Sequence, residues 1–357
     1  MADDHQHTPH YYGGQAVIEG VMMRGADTWA VAVRRPSGAI YLERHPVSDF
    51  PIRHPLFRKP MFRGMYGLVD AMAIGTRALT ISATQSAEDD EQLSDSQLGG
   101  SLVMALLMFV GVFIILPNAG LAFASRSIGH GVTYHLVEGV VRMGIFLGYL
   151  YLISLVSDIR RVFSYHGAEH KTIAAWEHGR PLEPASVQPY STLHVRCGTN
   201  FLLMVMLIAI VVYSSAGVLV PAPDGGLMVT TTYHILLRVL LLPVVAGVAY
   251  EGLRLGAGRD NLWVRALMKP GLWLQKITTK PPTDDQVEVA IRAFEAVVPS
   301  AALAGRTTTL PSPVEWGPDE VPHGDSLGVE SLGVESLGVQ PGGVPADVSG
   351  EPTAPES

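Results

Sequence analysis

Four long apolar runs, at residues 101–124, 136–157, 201–220 and 235–252, constrain this chain more than any other feature. Each matches or approaches the ~18–20 residues that a helix needs to cross the hydrocarbon core of a bilayer. Lipid offers backbone amides no water to bond, so runs of this kind must satisfy their own hydrogen bonds as helices. The run 201–220 has no charged residue, and its polar residues are Tyr213, Ser214 and Ser215. Charged residues make up 16% of the 357 positions. Soluble domains carry about 25%, so the deficit agrees with spans in a membrane.

Basic residues predict the orientation of those spans. Arg160, Arg161, Lys171, Arg180 and Arg196 lie between the second and third runs, and Arg254, Arg259, Arg265, Lys269, Lys276 and Lys280 follow the fourth. The connector 125–135 has only Arg126, and the connector 221–234 has neither Lys nor Arg. The expected fold is therefore a polytopic α-helical membrane protein of the cell membrane. It has four transmembrane helices, cytoplasmic N- and C-termini, and a small cytoplasmic α+β portion. Charges inside the runs fit ion pairing: Glu138 and Arg142 are four apart on one helix face. Arg238 lies near the outer end of the fourth run, and Glu251 with Arg254 near its inner end, where snorkelling relieves burial. Four spans are few for a monomeric carrier, an objection that a homo-oligomer would relax.

The net charge of −8 is local. Residues 301–357 hold nine Asp or Glu and one Arg, and the rest of the chain has equal numbers of acids and bases. No polyanion-binding surface is indicated, and no nucleic acid partner is expected. The single cysteine, Cys197, excludes an intramolecular disulfide framework and multi-cysteine zinc or iron–sulfur sites.

The expected organisation begins with a disordered N-terminus at 1–10 and a β-rich cytoplasmic segment at 11–60. Within the latter, strand-forming runs at 28–33 and 39–43 flank a Pro36-Ser37-Gly38 turn. An interfacial helix follows at 61–84, then an acidic linker at 85–99 and the four-helix membrane domain at 100–252, with its cytoplasmic His/Cys loop at 158–200. Residues 253–298 are an interfacial and helical segment, with Trp263 and Trp273 suited to the interface and Thr283 placed to cap a helix. The acidic, Pro/Gly-rich stretch 299–357, with its repeated Ser-Leu-Gly-Val-Glu, reads as disordered.

The candidate chemistry lies in the 158–200 loop, at His166-Gly167-Ala168-Glu169-His170-Lys171. On a helix, His166 and His170 are four apart and both imidazoles reach one metal ion. Glu169 is placed to take a proton from a water on that ion. This is the H-x-x-E-H order of the inverzincin metallopeptidases, which need a third protein ligand. Glu177, two turns beyond His170, is one candidate. His194 and Cys197, three apart, are others, and an imidazole and a thiolate both suit zinc. With Glu177 as third ligand the site keeps an open position and supports hydrolysis. Closed by His166, His170, His194 and Cys197 it is a structural clamp. Lys171 and Arg196 are candidates to neutralise an oxyanion or phosphate. The bland reading is a solvated, headgroup-facing loop with a small buried cysteine. Glu19 and Arg24, in the glycine-punctuated stretch 13–25, read as structural ion pairs ahead of site residues.

Several stretches together resemble the YqhQ-like family of bacterial membrane proteins, domain of unknown function 1385. They are Gly14-Gln15-Ala16-Val17-Ile18-Glu19-Gly20-Val21-Met22-Met23-Arg24-Gly25, Tyr165-His166-Gly167-Ala168-Glu169-His170-Lys171, Arg196-Cys197-Gly198-Thr199, Tyr250-Glu251-Gly252 with Arg254, and Gln275-Lys276-Ile277-Thr278-Thr279. The resemblance covers about residues 12–298 and implies a metal-dependent enzyme. The chain departs from it at Val195, where the pattern has Pro before Arg-Cys. Two functions are thus in view. One is a metal-dependent membrane hydrolase using a divalent metal, zinc first among them, on a membrane-protein or lipid substrate at the bilayer. The other is a non-enzymatic scaffold, chaperone or assembly factor with a structural metal.

Overall fold

A computed structural model describes residues 12–87, 95–117, 120, 132–194, 197–220, 227–256 and 262–318. Strands β1 (Gly13–Val17), β2 (Gly20–Arg24), β3 (Thr28–Arg34) and β4 (Ile40–Pro46) form an antiparallel meander. The Pro36-Ser37-Gly38 turn joins β3 to β4, with Gly38 at φ 86°, a value that glycine adopts without a side-chain penalty. The tight β1–β2 turn puts Glu19 at φ 52°. Its carboxylate is held there by Arg161 and by the Tyr165 hydroxyl at 3.2 Å. Arg24 pairs with Asp70 at 2.5 Å. Both residues therefore serve as ion-pair anchors for the sheet.

The principal helices are α1 (Phe62–Ser86), α2 (Asp95–Val110), α3 (Val132–Ile153), α4 (Ser157–Glu177), α5 (Gly198–Leu219), α6 (Leu227–Gly256), α7 (Leu262–Thr278) and α8 (Asp284–Glu295). The sheet is covered on both faces. Period-two alternation sends Trp29, Val31 and Val33 toward Ile74 and Ala78 of α1, and Ala30 and Ala32 toward α4 and α8. This explains why β3 reads as an unbroken apolar run. On the α4–α8 face, Tyr165, Ile291 and Phe294 are fully buried. Each such side chain contributes about 1.5–3 kcal/mol relative to exposure. Gln286 reaches back to the Thr283 amide at 3.1 Å and fixes the start of α8.

α3, α5 and α6 contain apolar stretches long enough to cross a membrane: Leu136–Ile153, Gly198–Gly217 and Ile235–Gly252. These mark the chain as membrane-associated. Of the first apolar run, Gly99–Ile115 forms a shorter apolar helix. Its last turn, Gly111–Ile115, is π-helical. Residues 118, 119 and 121–124 of that run lie outside the described residues, as do 1–11 and residues 88–94 of the acidic linker.

One face of α1 packs inward, where Ile74, Gly75, Ala78 and Ser82 are buried and the sheet covers two of them. Val69 and Met72, at 66% and 64% exposure, occupy another face. The expectation of disorder from residue 299 needs correction, because structure continues beyond it. Ser300–Leu303 is a helical turn, Leu182 donates to the Arg306 carbonyl at 2.7 Å, and β5 (Val314–Trp316) adds to the sheet parallel to β4. A three-residue edge strand is specified by its distant partner, and local composition carries almost no signal for it.

Candidate metal centre

α4 is a hydrophilic sequence in a buried place. Tyr165, the whole run Gly167–Ile173 and Ala175 are buried between β1, β2 and α8. Burial on nearly all sides marks a core helix, and polar residues inside it require partners. His170 is 1% exposed. Its Nδ1 lies 2.5 Å from the Thr192 carbonyl oxygen, and the Nδ1 of His166 lies 2.8 Å from that of Thr278. A carbonyl only accepts, so each Nδ1 carries the proton and donates it. Each imidazole therefore presents a bare Nε2.

Both bare nitrogens converge on Cys197. His166 Nε2 is 3.2 Å from the Sγ, and His170 Nε2 is buried without a hydrogen-bond partner. The three ligand atoms lie within 4.8 Å of one another. Zinc bonds of about 2.0–2.3 Å need such atoms to close to about 3.5 Å, a modest contraction. Cys197 is the N-cap of α5, and its Sγ accepts from the Thr199 amide at 3.4 Å and hydroxyl at 3.2 Å. Backbone carbonyls fixing the outer nitrogens of histidines are the usual surroundings of metal-ligating imidazoles. The orphaned Nε2 of a fully buried histidine is the polar atom such an ion would satisfy. The donor set, two imidazoles and a thiol, fits zinc.

Glu169 is beside the cluster and completely buried. Desolvation pushes its carboxyl up to about 8, against a lowering effect of His166, and the Cys197 thiolate adds to the rise. The Gly14 amide bonds its carboxyl, while Oε2 is buried without a partner. Burial drives His170 down to about 3, so it is neutral and ready to ligate. Burial also lowers His194 and raises the Cys197 thiol.

The other candidates are placed elsewhere. Glu177, two turns and about 10 Å along α4 from His170, lies 3.5 Å from His194 Nε2 and outside the trio. His194 is bracketed by Gln275, which accepts from its amide and donates to its carbonyl, each at 2.8 Å. Its ring centroid is 5.7 Å from that of His170. The Lys171 ammonium bonds the Gln188 carbonyl. Arg196 lies outside the described residues. Sequence reasoning missed the carbonyls of Thr192 and Thr278 and the bracket from Gln275. Backbone acceptors leave no residue-type signal, although Gln275 and Thr278 stand in a stretch that carries the resemblance.

Fold and cluster together define a mostly helical, membrane-associated protein with a small sheet and a buried His/His/Cys constellation. The chain belongs to the DUF1385 family, described as a protein of unknown function, which matches residues 59–300. It is 36% identical over 312 residues to "Uncharacterized protein YqhQ" of Bacillus subtilis (strain 168), covering 83% of this chain and 95% of that protein. No solved structure matches it.

Proposed function

We propose that this protein is a metal-dependent membrane hydrolase whose site is the His166/His170/Cys197 cluster. The observation that carries the proposal is the convergence of two carbonyl-anchored imidazoles on one thiol, a three-donor set that would hold a divalent ion. A divalent cation held by His166, His170 and Cys197, zinc by its donor set, would supply Lewis acidity toward a carbonyl or phosphoryl oxygen. Glu169 holds a proton on its buried carboxyl near neutral pH and is the general acid/base. The bond cleaved belongs to a peptide or lipid at the bilayer surface. Arg196, next to Cys197 in sequence, is the remaining candidate to neutralise developing charge, because Lys171 is committed to Gln188.

The placement that accompanies this function has four spans, with 101–124 as the first, both termini in the cytoplasm, and the cluster at the cytoplasmic face. Its support is the bias of Lys and Arg toward the 158–200 and 253–280 segments. A periplasmic phosphatase reporter fused after residue 225 is expected to be active, and one fused after residue 190 inactive. The reverse pattern would sink the orientation.

The functional test is turnover of peptide, lipid-ester and phosphoester panels by zinc-loaded protein in nanodiscs. Glu169→Gln is expected to keep its metal and lose about 100-fold or more in rate, the usual worth of general acid–base catalysis. Full activity in that variant removes Glu169 from the mechanism. A structural clamp is the second reading, favoured by one observation: the trio ties α4 to the start of α5. It predicts metal without turnover on any panel.

A further inference from the structure

The Gly198 end of α5 and the Gly252 end of α6 lie at one level, because Met204, early in α5, packs with Ala249, late in α6. Two other elements are pinned to that end of the spans. Met61 donates its amide to Glu251 Oε1 at 3.2 Å, and Arg63 donates to the same oxygen from Nε at 2.7 Å. Gly64 lies so close to Tyr250 that a Cβ would not fit between them. The start of α1 is thus fixed beside the last turn of a membrane-length stretch. On α7, Gly271 approaches Asn200, in the first turn of α5, just as closely.

What these pinned elements leave exposed is apolar and basic. Ahead of α1, two helical turns, Phe50–Arg53 and Pro55–Arg58, are held by aromatic contacts. Phe50 stacks on Tyr66 of α1 with ring centroids 5.6 Å apart, and Phe57 lies 6.1 Å from the same ring. Held in this way, Ile52 is 72% exposed and Leu56 is exposed beside it. Phe62 and Val69, seven residues apart and so on one face of α1, extend the apolar strip. Residues 50–69 contain Arg53, Arg58, Lys59 and Arg63 and no acid. Arg53 pairs with Asp49 and Arg63 with Glu251. Arg58 and Lys59 are exposed, with no carboxylate partner among the described residues. On α7 the exposed Trp273 stands between Lys269 and Lys276 on one face.

We propose that the strip from Phe50 to Val69 is a docking surface for the headgroup layer of an anionic phospholipid bilayer. Ile52, Leu56, Phe62 and Val69 enter the acyl boundary, and Arg58 and Lys59 meet lipid phosphates. An exposed apolar patch of this size marks an interaction surface, and its pairing with cations is the composition of an interfacial segment. Continuity with the span end identifies the occupant as lipid, since the strip starts where the Ile235–Gly252 stretch leaves the hydrocarbon. The two cations without an internal carboxylate select anionic over zwitterionic headgroups. Trp273 with its two lysines gives a second contact at the same level. Cys197 directly precedes Gly198, so the strip holds the His/Cys cluster near the headgroup layer. The inference rests on the membrane-length helices and is independent of the chemistry proposed for that cluster.

The test places the photoreactive residue p-benzoylphenylalanine at Leu56, and at the exposed mid-span Val211 as a control, in the full chain. The protein is reconstituted into nanodiscs of mixed phosphatidylcholine and phosphatidylglycerol, irradiated, and its adducts are weighed by mass spectrometry. Val211 is expected to capture the two lipids in proportion to their share of the bilayer. Leu56 is expected to capture phosphatidylglycerol with about threefold or greater enrichment over that share, and high salt is expected to reduce the excess. Arg58→Gln combined with Lys59→Gln is expected to return capture at Leu56 to the bilayer share. Both side chains are exposed, so the fold does not depend on them. Metal content and turnover do not enter the readout, so this result stands apart from the function proposed above. The proposal is overturned if Leu56 captures a second copy of the chain or no lipid while Val211 labels. It is equally overturned if capture shows no enrichment, or if enrichment survives in the double variant.

Discussion

His170→Ala and Cys197→Ser are each expected to purify with less than about one tenth of the wild-type metal content, since each removes one of the three proposed ligands. Elemental mass spectrometry of the detergent-purified protein is the measurement. His194→Ala and Glu177→Ala, whose side chains face each other outside the trio, are expected to stay within about twofold of wild type. Loss of metal in Glu177→Ala with retention in Cys197→Ser would overturn this ligand set. The pH dependence follows from the same groups. Burial holds His170 neutral, with a pKa of about 3, so the imidazole has no proton to give up near neutrality. Burial raises the Cys197 thiol, so that group must release its proton to ligate. Protons thus compete with metal at the thiol, and that competition makes affinity rise with pH by about tenfold per unit below the thiol pKa. Chelator competition between about pH 6 and 8 reads the slope, and a flat profile would exclude the thiolate as ligand.

Legibility in the sequence was uneven, for reasons that lie in the range of the interactions. Membrane-length helices are local and need only an apolar run, so three of the four runs read from the sequence are membrane-length helices among the described residues. The Pro36–Gly38 turn and the Thr283 cap are also local, and both are present. The pairing of His166 with His170 was visible as i, i+4 spacing. The choice between Glu177 and Cys197 was not, because helical spacing brings Glu177 to the same face but two turns away. Cys197 arrives from another helix, through a chain path that spacing cannot describe. β5 was hidden for a related reason: an edge strand is stabilised by β4, some 270 positions earlier in the chain.

Gly167, inside the His-Gly-Ala-Glu-His motif, is where local and tertiary preferences oppose each other most sharply. Helix propensity alone favours Ala over Gly at such an interior position by about 1 kcal/mol. A Cβ at Gly167 would lie far inside the 3.0 Å that real Cβ atoms keep, and the atom it meets is the backbone carbonyl oxygen of Lys280. That backbone cannot swing aside as a side-chain tip does, because the Lys280 amide donates to the Phe163 carbonyl of α4 at 2.8 Å. Gly167→Ala is therefore expected to destabilise by about 3 kcal/mol, the upper range of overpacking, with the sign opposite to propensity. Gly67→Ala on α1, with nothing within 4 Å of its added Cβ, is expected to stabilise by up to about 1 kcal/mol. Thermal unfolding in one detergent compares the two, and a Gly167→Ala protein as stable as wild type would refute the close approach. The consequence reaches the site. Displacing Lys280 moves Thr278, whose carbonyl fixes His166 Nδ1, so the same methyl group should lower metal affinity by about 10-fold or more, as loss of an outer-sphere partner does. Read this way, the glycine between the two histidines sets the distance at which the carbonyl that orients His166 is held.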